Sequence, residues 1–357
     1  MKMINNNWLS RFSKDQPLMI AGPCSAETQD QMLTIAHQVK QSGVEIFRAG
    51  VWKPRTRPNT FEGVGEEGLG WLNEVKRETG MLTATEIATS GHAELALKHD
   101  IDVLWIGARS TVSPFVVQEI ADAIRGTDKI VLVKNPVSPD LALWTGAFER
   151  LQQANVVNLG AIHRGFTTYG SSVYRNQPNW PLALDFKNQL PEIPLICDPS
   201  HIAGVRDFVA PLAKEALELG YHGLMIETHH TPDSAWSDAK QQITPETLSA
   251  LMTELVDLYQ SVDHTCPNKA LQKLRYKVDI FDQQLINTLA LRMKTTNDIG
   301  MLKKQHGIEI LKANRWEEVI HRMLALAKEN GLPESFIENT FNMIHEESLK
   351  QQLSLHN

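Results

Sequence analysis

With 357 residues, 42% of them hydrophobic, the chain can bury one large core and one small one. A formal net charge of -7 without any basic run excludes a general nucleic-acid surface, and three scattered cysteines, Cys24, Cys197 and Cys266, exclude a disulfide framework. No apolar stretch reaches membrane length and residues 1–16 are too polar for a signal peptide, so a cytoplasmic protein without membrane contact is expected.

From Leu18 onward, short β-like runs alternate with amphipathic helical stretches. The runs fall at 18–21, 44–49, 81–86, 103–107, 130–133, 156–159, 193–197 and 223–227, with helical segments at 30–41, 67–78, 114–125, 139–153, 205–219 and 245–260. Eight such units over this length predict an α/β fold, a (β/α)8 TIM barrel; an open doubly wound sheet is disfavoured because no GxGxxG turn follows the first strand. Residues 263–268, with Pro267, predict a linker, which divides the chain into a barrel over 1–262 and a second domain over 269–357. That second domain is all-α. Its first helix, 269–305, carries Leu271, Leu274, Val278, Phe281, Leu285 and Leu289 on one face and spans about 50 Å, too long to bury that face alone, which predicts a partner chain. Two more helices follow at 315–330 and 334–352.

Chemistry gathers where the barrel strands end. Arg48, Lys53, Arg55, Arg109, Lys134 and Arg164 converge on one mouth of a net-acidic protein, which predicts substrates carrying phosphate and carboxylate. Cys24, His201, Glu227 and Asp238 offer a thiolate, an imidazole and two carboxylates, a set suited to Mn²⁺, Fe²⁺, Co²⁺ or Zn²⁺. Taken singly, each of these residues reads equally well as a packed thiol, a turn histidine or a capping carboxylate. Strands one, seven and eight become neighbours when a barrel closes, and this unites the set.

The motifs GPCS, KPRT, GAR, HRG and DPSH, with the Glu227 to Asp238 spacing, resemble the type I β 3-deoxy-D-arabino-heptulosonate 7-phosphate (DAHP) synthases over the first 260 or so residues. The remainder resembles the AroQ-type chorismate mutases. The first resemblance implies metal-dependent condensation of phosphoenolpyruvate with erythrose 4-phosphate at the opening of aromatic amino-acid synthesis. It implies Cys24, His201, Glu227 and Asp238 as metal ligands, with Mn²⁺ the first choice. It also implies Arg48, Lys53, Arg109, Lys134 and Arg164 on phosphoenolpyruvate with Glu86 beside them, and Arg55, Thr56 and Ser200 on erythrose 4-phosphate. Lys53, Glu86 and a metal-bound water are the candidates for moving protons. The 3-deoxy-octulosonate 8-phosphate synthases run the same condensation on a longer sugar; KPRT argues against them.

The second resemblance implies rearrangement of chorismate to prephenate, a reaction that needs only a cradle for a compact dianion. Arg275, Arg292 and Arg315 would hold the carboxylates, Lys303 and Gln352 the ether oxygen, with Ser348 one turn from Gln352. In that family two chains intertwine, and Arg275 is the residue given to the neighbour, which implies a homodimer. Two positions depart from the pattern: Trp316 stands where a glutamate is usual, and Lys312 replaces an acidic residue. The alternative expectation is a helical domain that only dimerises and senses chorismate or prephenate, and prephenate is the expected feedback ligand.

Overall fold

The computed structural model describes residues 7–55, 59–168, 173–261, 268–309 and 313–356. It divides into two compact units, Met1–Lys273 and Leu274–Asn357. Of the expected linker at 263–268, residues 263–267 lie outside the described residues and Asn268 already opens the next helix.

The first unit is a closed parallel barrel of eight strands in sequential order. These are β1 (Leu18–Gly22), β2 (Ile46–Arg48), β3 (Leu82–Ile87), β4 (Val103–Ile106), β5 (Ile130–Lys134), β6 (Leu159–His163), β7 (Leu195–Cys197) and β8 (Gly223–Glu227). Strands buried on both faces need near-continuous apolar residues, and seven of the eight are buried at every position, β3 being the exception. Thr28, Thr89, Ser113 and Asp140 start helices of the outer ring, each side chain accepting the backbone N–H three residues on. Side chains such as Ile20, Ile46, Trp105, Leu132, Ile162 and Met225 fill the interior.

At the far end of the barrel from the strand carboxyl termini, Trp8 is buried and donates its indole N–H to Leu159 O at 2.8 Å. This corrects one expected strand. The run at 156–159 is not β6, which lies at Leu159–His163; Val157 is 44% exposed and belongs to the approach. The true strand is interrupted by Gly160, where a Cβ would come within 2.7 Å of Leu132 and 2.9 Å of Trp8, so packing of the plug demands the residue that weakens the β pattern.

Among the described residues the second unit holds three helices, Asn268–His306 from Leu274 onward, Ala313–Glu329 and Glu334–His356. Ser348 and Gln352 of the third are buried, and a Cβ at Gly300 of the first would lie 2.9 Å from Gln352 Cγ, so these helices meet closely there. Among the described residues no helix is long and apolar enough to cross a membrane.

Candidate active site

Register brings the ligand set together. Gly22 of β1 pairs with Glu227 of β8, and β7 joins the other edge of β8, so the loops after these three strands share one sector of the mouth. Cys24, Glu227 and Asp238 each offer a ligand atom within 4.8 Å of the others. His201 is not within that distance of all three, but its Nε2 lies 3.7 Å from Glu227 Oε1. Its Nδ1 faces Asp198 Oδ2 at 2.8 Å, which turns Nε2 toward the cluster. Burial holds the His201 imidazole below its ordinary value, the neutral form a metal requires.

The donors fit a divalent cation. Glu227 is fully buried and its Oε1, although the Arg48 guanidinium stands 3.3 Å away, accepts no hydrogen bond among the described residues, which leaves that oxygen able to take a cation. Burial, with Glu227 beside it, pushes the Cys24 thiol up to about 12, the shift expected of a ligand lacking its positive partner. Burial opposes the charge of Asp238, but Arg175 and His201 hold it well below the usual carboxylate range.

The cations divide into two groups. Arg48 is buried on the metal side: Nη2 donates to Cys24 O at 3.1 Å, Nη1 stands 3.3 Å from Glu227 Oε1, and the guanidinium lies over the Trp105 ring. Lys53 Nζ donates to Cys24 Sγ at 3.0 Å and to Cys24 O at 3.1 Å. Arg109, Lys134 and Arg164 instead line a cavity of about 250 Å³ with Glu86, Arg175, Asn176 and His201. Burial pushes Arg164 down to about 10, with Asp198 and Glu86 opposing the shift and Arg175 and Arg109 adding to it. Lys134 pairs with the buried Asp198 at 2.9 Å.

Of the other expected residues, Arg55 donates to Phe61 O at 2.9 Å on the loop after β2, and Thr56 lies outside the described residues. Ser200 is fully buried and accepts the Glu227 backbone N–H at 3.0 Å, so it faces the metal side rather than the cavity. Sequence reasoning missed Trp105, whose indole donates to Glu86 Oε2 at 3.0 Å beneath the cavity, because a tryptophan inside an apolar run reads as core. It also missed Asp198 as the partner of His201, and Arg175, Asn176, Gln241 and Gln242. Gln242 accepts the Cys24 backbone N–H at 3.0 Å; two adjacent glutamines just after Asp238 were the available signal.

In the second unit, Arg292 Nη1 donates to Ser348 Oγ at 2.8 Å, four residues from Gln352 on the same helix. Lys303 is eleven residues, three turns, beyond Arg292 and so shares its face. Trp316 lies flat on His345 at 4.0 Å. The side chains of Arg275 and Arg315, and all of Lys312, lie outside the described residues.

A match to the DAHP synthetase I family spans residues 7–263. The chain belongs to that family. A second match, chorismate mutase type II, spans 274–353, and together they make the chain a bifunctional enzyme with a synthase half and a mutase half. Phospho-2-dehydro-3-deoxyheptonate aldolase of Thermotoga maritima is 30% identical over 240 residues, covering 67% of this chain and 69% of that protein. A 2-dehydro-3-deoxyphosphooctonate aldolase of Brucella ovis is 28% identical over 269 residues, covering 69% of this chain and 92% of its own length. The crystal structure of the Thermotoga DAHP synthase superposes with a TM-score of 0.62 at 28% identity, covering 69% of each chain.

Proposed function

We propose that the barrel condenses phosphoenolpyruvate with erythrose 4-phosphate on a divalent cation, Mn²⁺ before Fe²⁺, Co²⁺ or Zn²⁺, held by Cys24, His201, Glu227 and Asp238. The observation that carries this reading is the juxtaposition of that donor cluster with a cavity walled by Arg109, Lys134 and Arg164 at one barrel mouth. When bound, the cation supplies Lewis acidity toward the aldehyde. The guanidinium forks of Arg109 and Arg164 match phosphate and carboxylate bidentately, and Lys134 adds a point charge. Held there, phosphoenolpyruvate directs its carbon 3 at the aldehyde; water adds at carbon 2 and phosphate leaves. Lys53, hydrogen-bonded to the thiol, and Glu86, fixed by Trp105, stand where protons must move. Arg55 and Thr56 are assigned to the sugar phosphate, whereas Ser200, expected beside them, would serve that side only indirectly, by holding the backbone of Glu227.

In the helical half, Arg292, Lys303, Ser348 and Gln352, with Arg275 and Arg315, cradle the chorismate dianion. Phe281 and Leu285, more than half exposed on the first helix, form the face that a second copy of the chain covers. Prephenate is the feedback ligand of the synthase, and if saturating the mutase with it left condensation unchanged, that role would be lost.

Both activities are assayed on the full chain with and without a chelator. Loss of condensation with retention of mutase turnover supports the assignment of a metal to the barrel alone. Untouched chorismate would make the helical half a dimerising sensor, with Trp316 and Lys312 the first substitutions to revert.

A further inference from the structure

The two carboxylates of the cluster are joined to each other through Gln241 and Arg175. The side-chain amide of Gln241 donates to Glu227 Oε2 at 2.6 Å, and the Gln241 carbonyl oxygen accepts from Arg175 Nη1 at 2.7 Å. The same Nη1 donates to Asp238 Oδ1 at 3.0 Å. Chemistry fixes the direction of this chain of contacts, because a guanidinium only donates and an ionised carboxylate only accepts, so the amide between them has one workable orientation. Gln241 is buried on the short 3-10 turn Ala239–Gln241 beyond β8, while Arg175 comes from the loop after β6.

The bridge occupies one oxygen of each carboxylate and leaves the other. Asp238 Oδ2 is the atom 3.4 Å from Cys24 Sγ, and Glu227 Oε1 is the buried oxygen without a hydrogen-bond partner among the described residues. We propose that Arg175 and Gln241 are positioning residues that act as a single bridge, turning one oxygen each of Glu227 and Asp238 toward a divalent cation. The bridge also connects that cation to the anion cavity, since Arg175 lines its wall. The proposal rests on the reading of the cluster as a cation site.

The test uses the metal-free full-length protein, without substrates, titrated with Co²⁺. Affinity is measured by competition with a chelator, and geometry by the visible bands and the thiolate-to-cobalt absorption. Gln241→Leu and Arg175→Gln should each weaken Co²⁺ binding about 10- to 100-fold and alter the visible bands while keeping the thiolate band. The double variant should bind no more than about twofold more weakly than the worse single variant, since either change breaks the same bridge. Unchanged affinity and spectra in both single variants, or losses that multiply in the double, would overturn the proposal while leaving the cation site standing. Failure of the unaltered protein to bind Co²⁺, or a thiolate band that survives Cys24→Ser, would overturn the cation site and the bridge with it. Arg175 is 44% exposed, so Arg175→Gln keeps the fold even if Gln241→Leu does not; the apo thermal midpoint of each variant checks this.

Discussion

Asp198 gathers three demands on one buried carboxylate. It caps its own helical turn by accepting the His201 backbone N–H at 3.1 Å, it faces the His201 ring at Nδ1, and it neutralises Lys134 at 2.9 Å. Burial works against its charge, yet His201 and Lys134 hold it well below the usual carboxylate range. Asp198→Asn keeps the shape and removes the charge, which leaves Lys134 buried without its anion and lets the His201 ring turn. Breaking a buried pair in this way costs roughly 3–5 kcal/mol. Thermal unfolding should therefore show a lowered midpoint for the barrel, and condensation should fall by orders of magnitude while chorismate turnover persists. An unchanged condensation rate would remove Asp198 from the site.

At the scale of elements, most strands are legible because fully buried parallel strands leave uninterrupted apolar runs. β6 is the exception: Gly160 and the polar end at His163 disguise it, and the neighbouring Val156 and Val157 imitate it. The donor set was legible for the same topological reason, since strands one, seven and eight must meet. The bridging Arg175 and Gln241 were not, because both lie in loops whose meeting depends on folded geometry rather than on a pattern. The outer helices hold a similar hidden contact. Glu215, on the helix Val209–Glu218, is pushed up to about 7 by burial, with Glu218 adding to the shift and a hydrogen bond from Trp180 opposing it. A carboxyl whose folded value lies above its unfolded one binds its proton more tightly when folded. Its contribution therefore favours folding as pH drops through about 7 toward 4.5, and opposes folding above that window. Glu215→Gln should raise the unfolding midpoint at pH 8 by the equivalent of about 1–2 kcal/mol, discounted for partial exposure, and change it little at pH 5. Equal effects at both pH values would show that Glu215 carries no excess proton affinity.

At the scale of the whole molecule, the deciding feature is the apolar stripe on Asn268–His306. Leu274, Val278, Phe281 and Leu285 recur at spacings of four, three and four, and each is between 54% and 60% exposed. Most of the stability of a helix in a protein comes from packing its apolar face rather than from propensity, and this 39-residue helix leaves that part of its face unpacked. Fully burying a side chain of this kind contributes about 1.5–3 kcal/mol, and roughly half of that is still to be gained at each position. A twofold contact uses the same four residues from both chains, so the gain doubles to several kcal/mol. Sedimentation should then give a particle of at least twice the 40.1 kDa chain mass. Placing a charge in the stripe by Leu285→Asp should shift that particle toward the monomer by more than tenfold in dissociation constant. Mutase turnover should fall with dissociation and recover as protein concentration rises, whereas loss of turnover at an unchanged mass would assign Leu285 to the fold of the helix itself. A monomer in the unaltered protein would leave the stripe without its second copy and remove the structural ground for an arginine donated between chains.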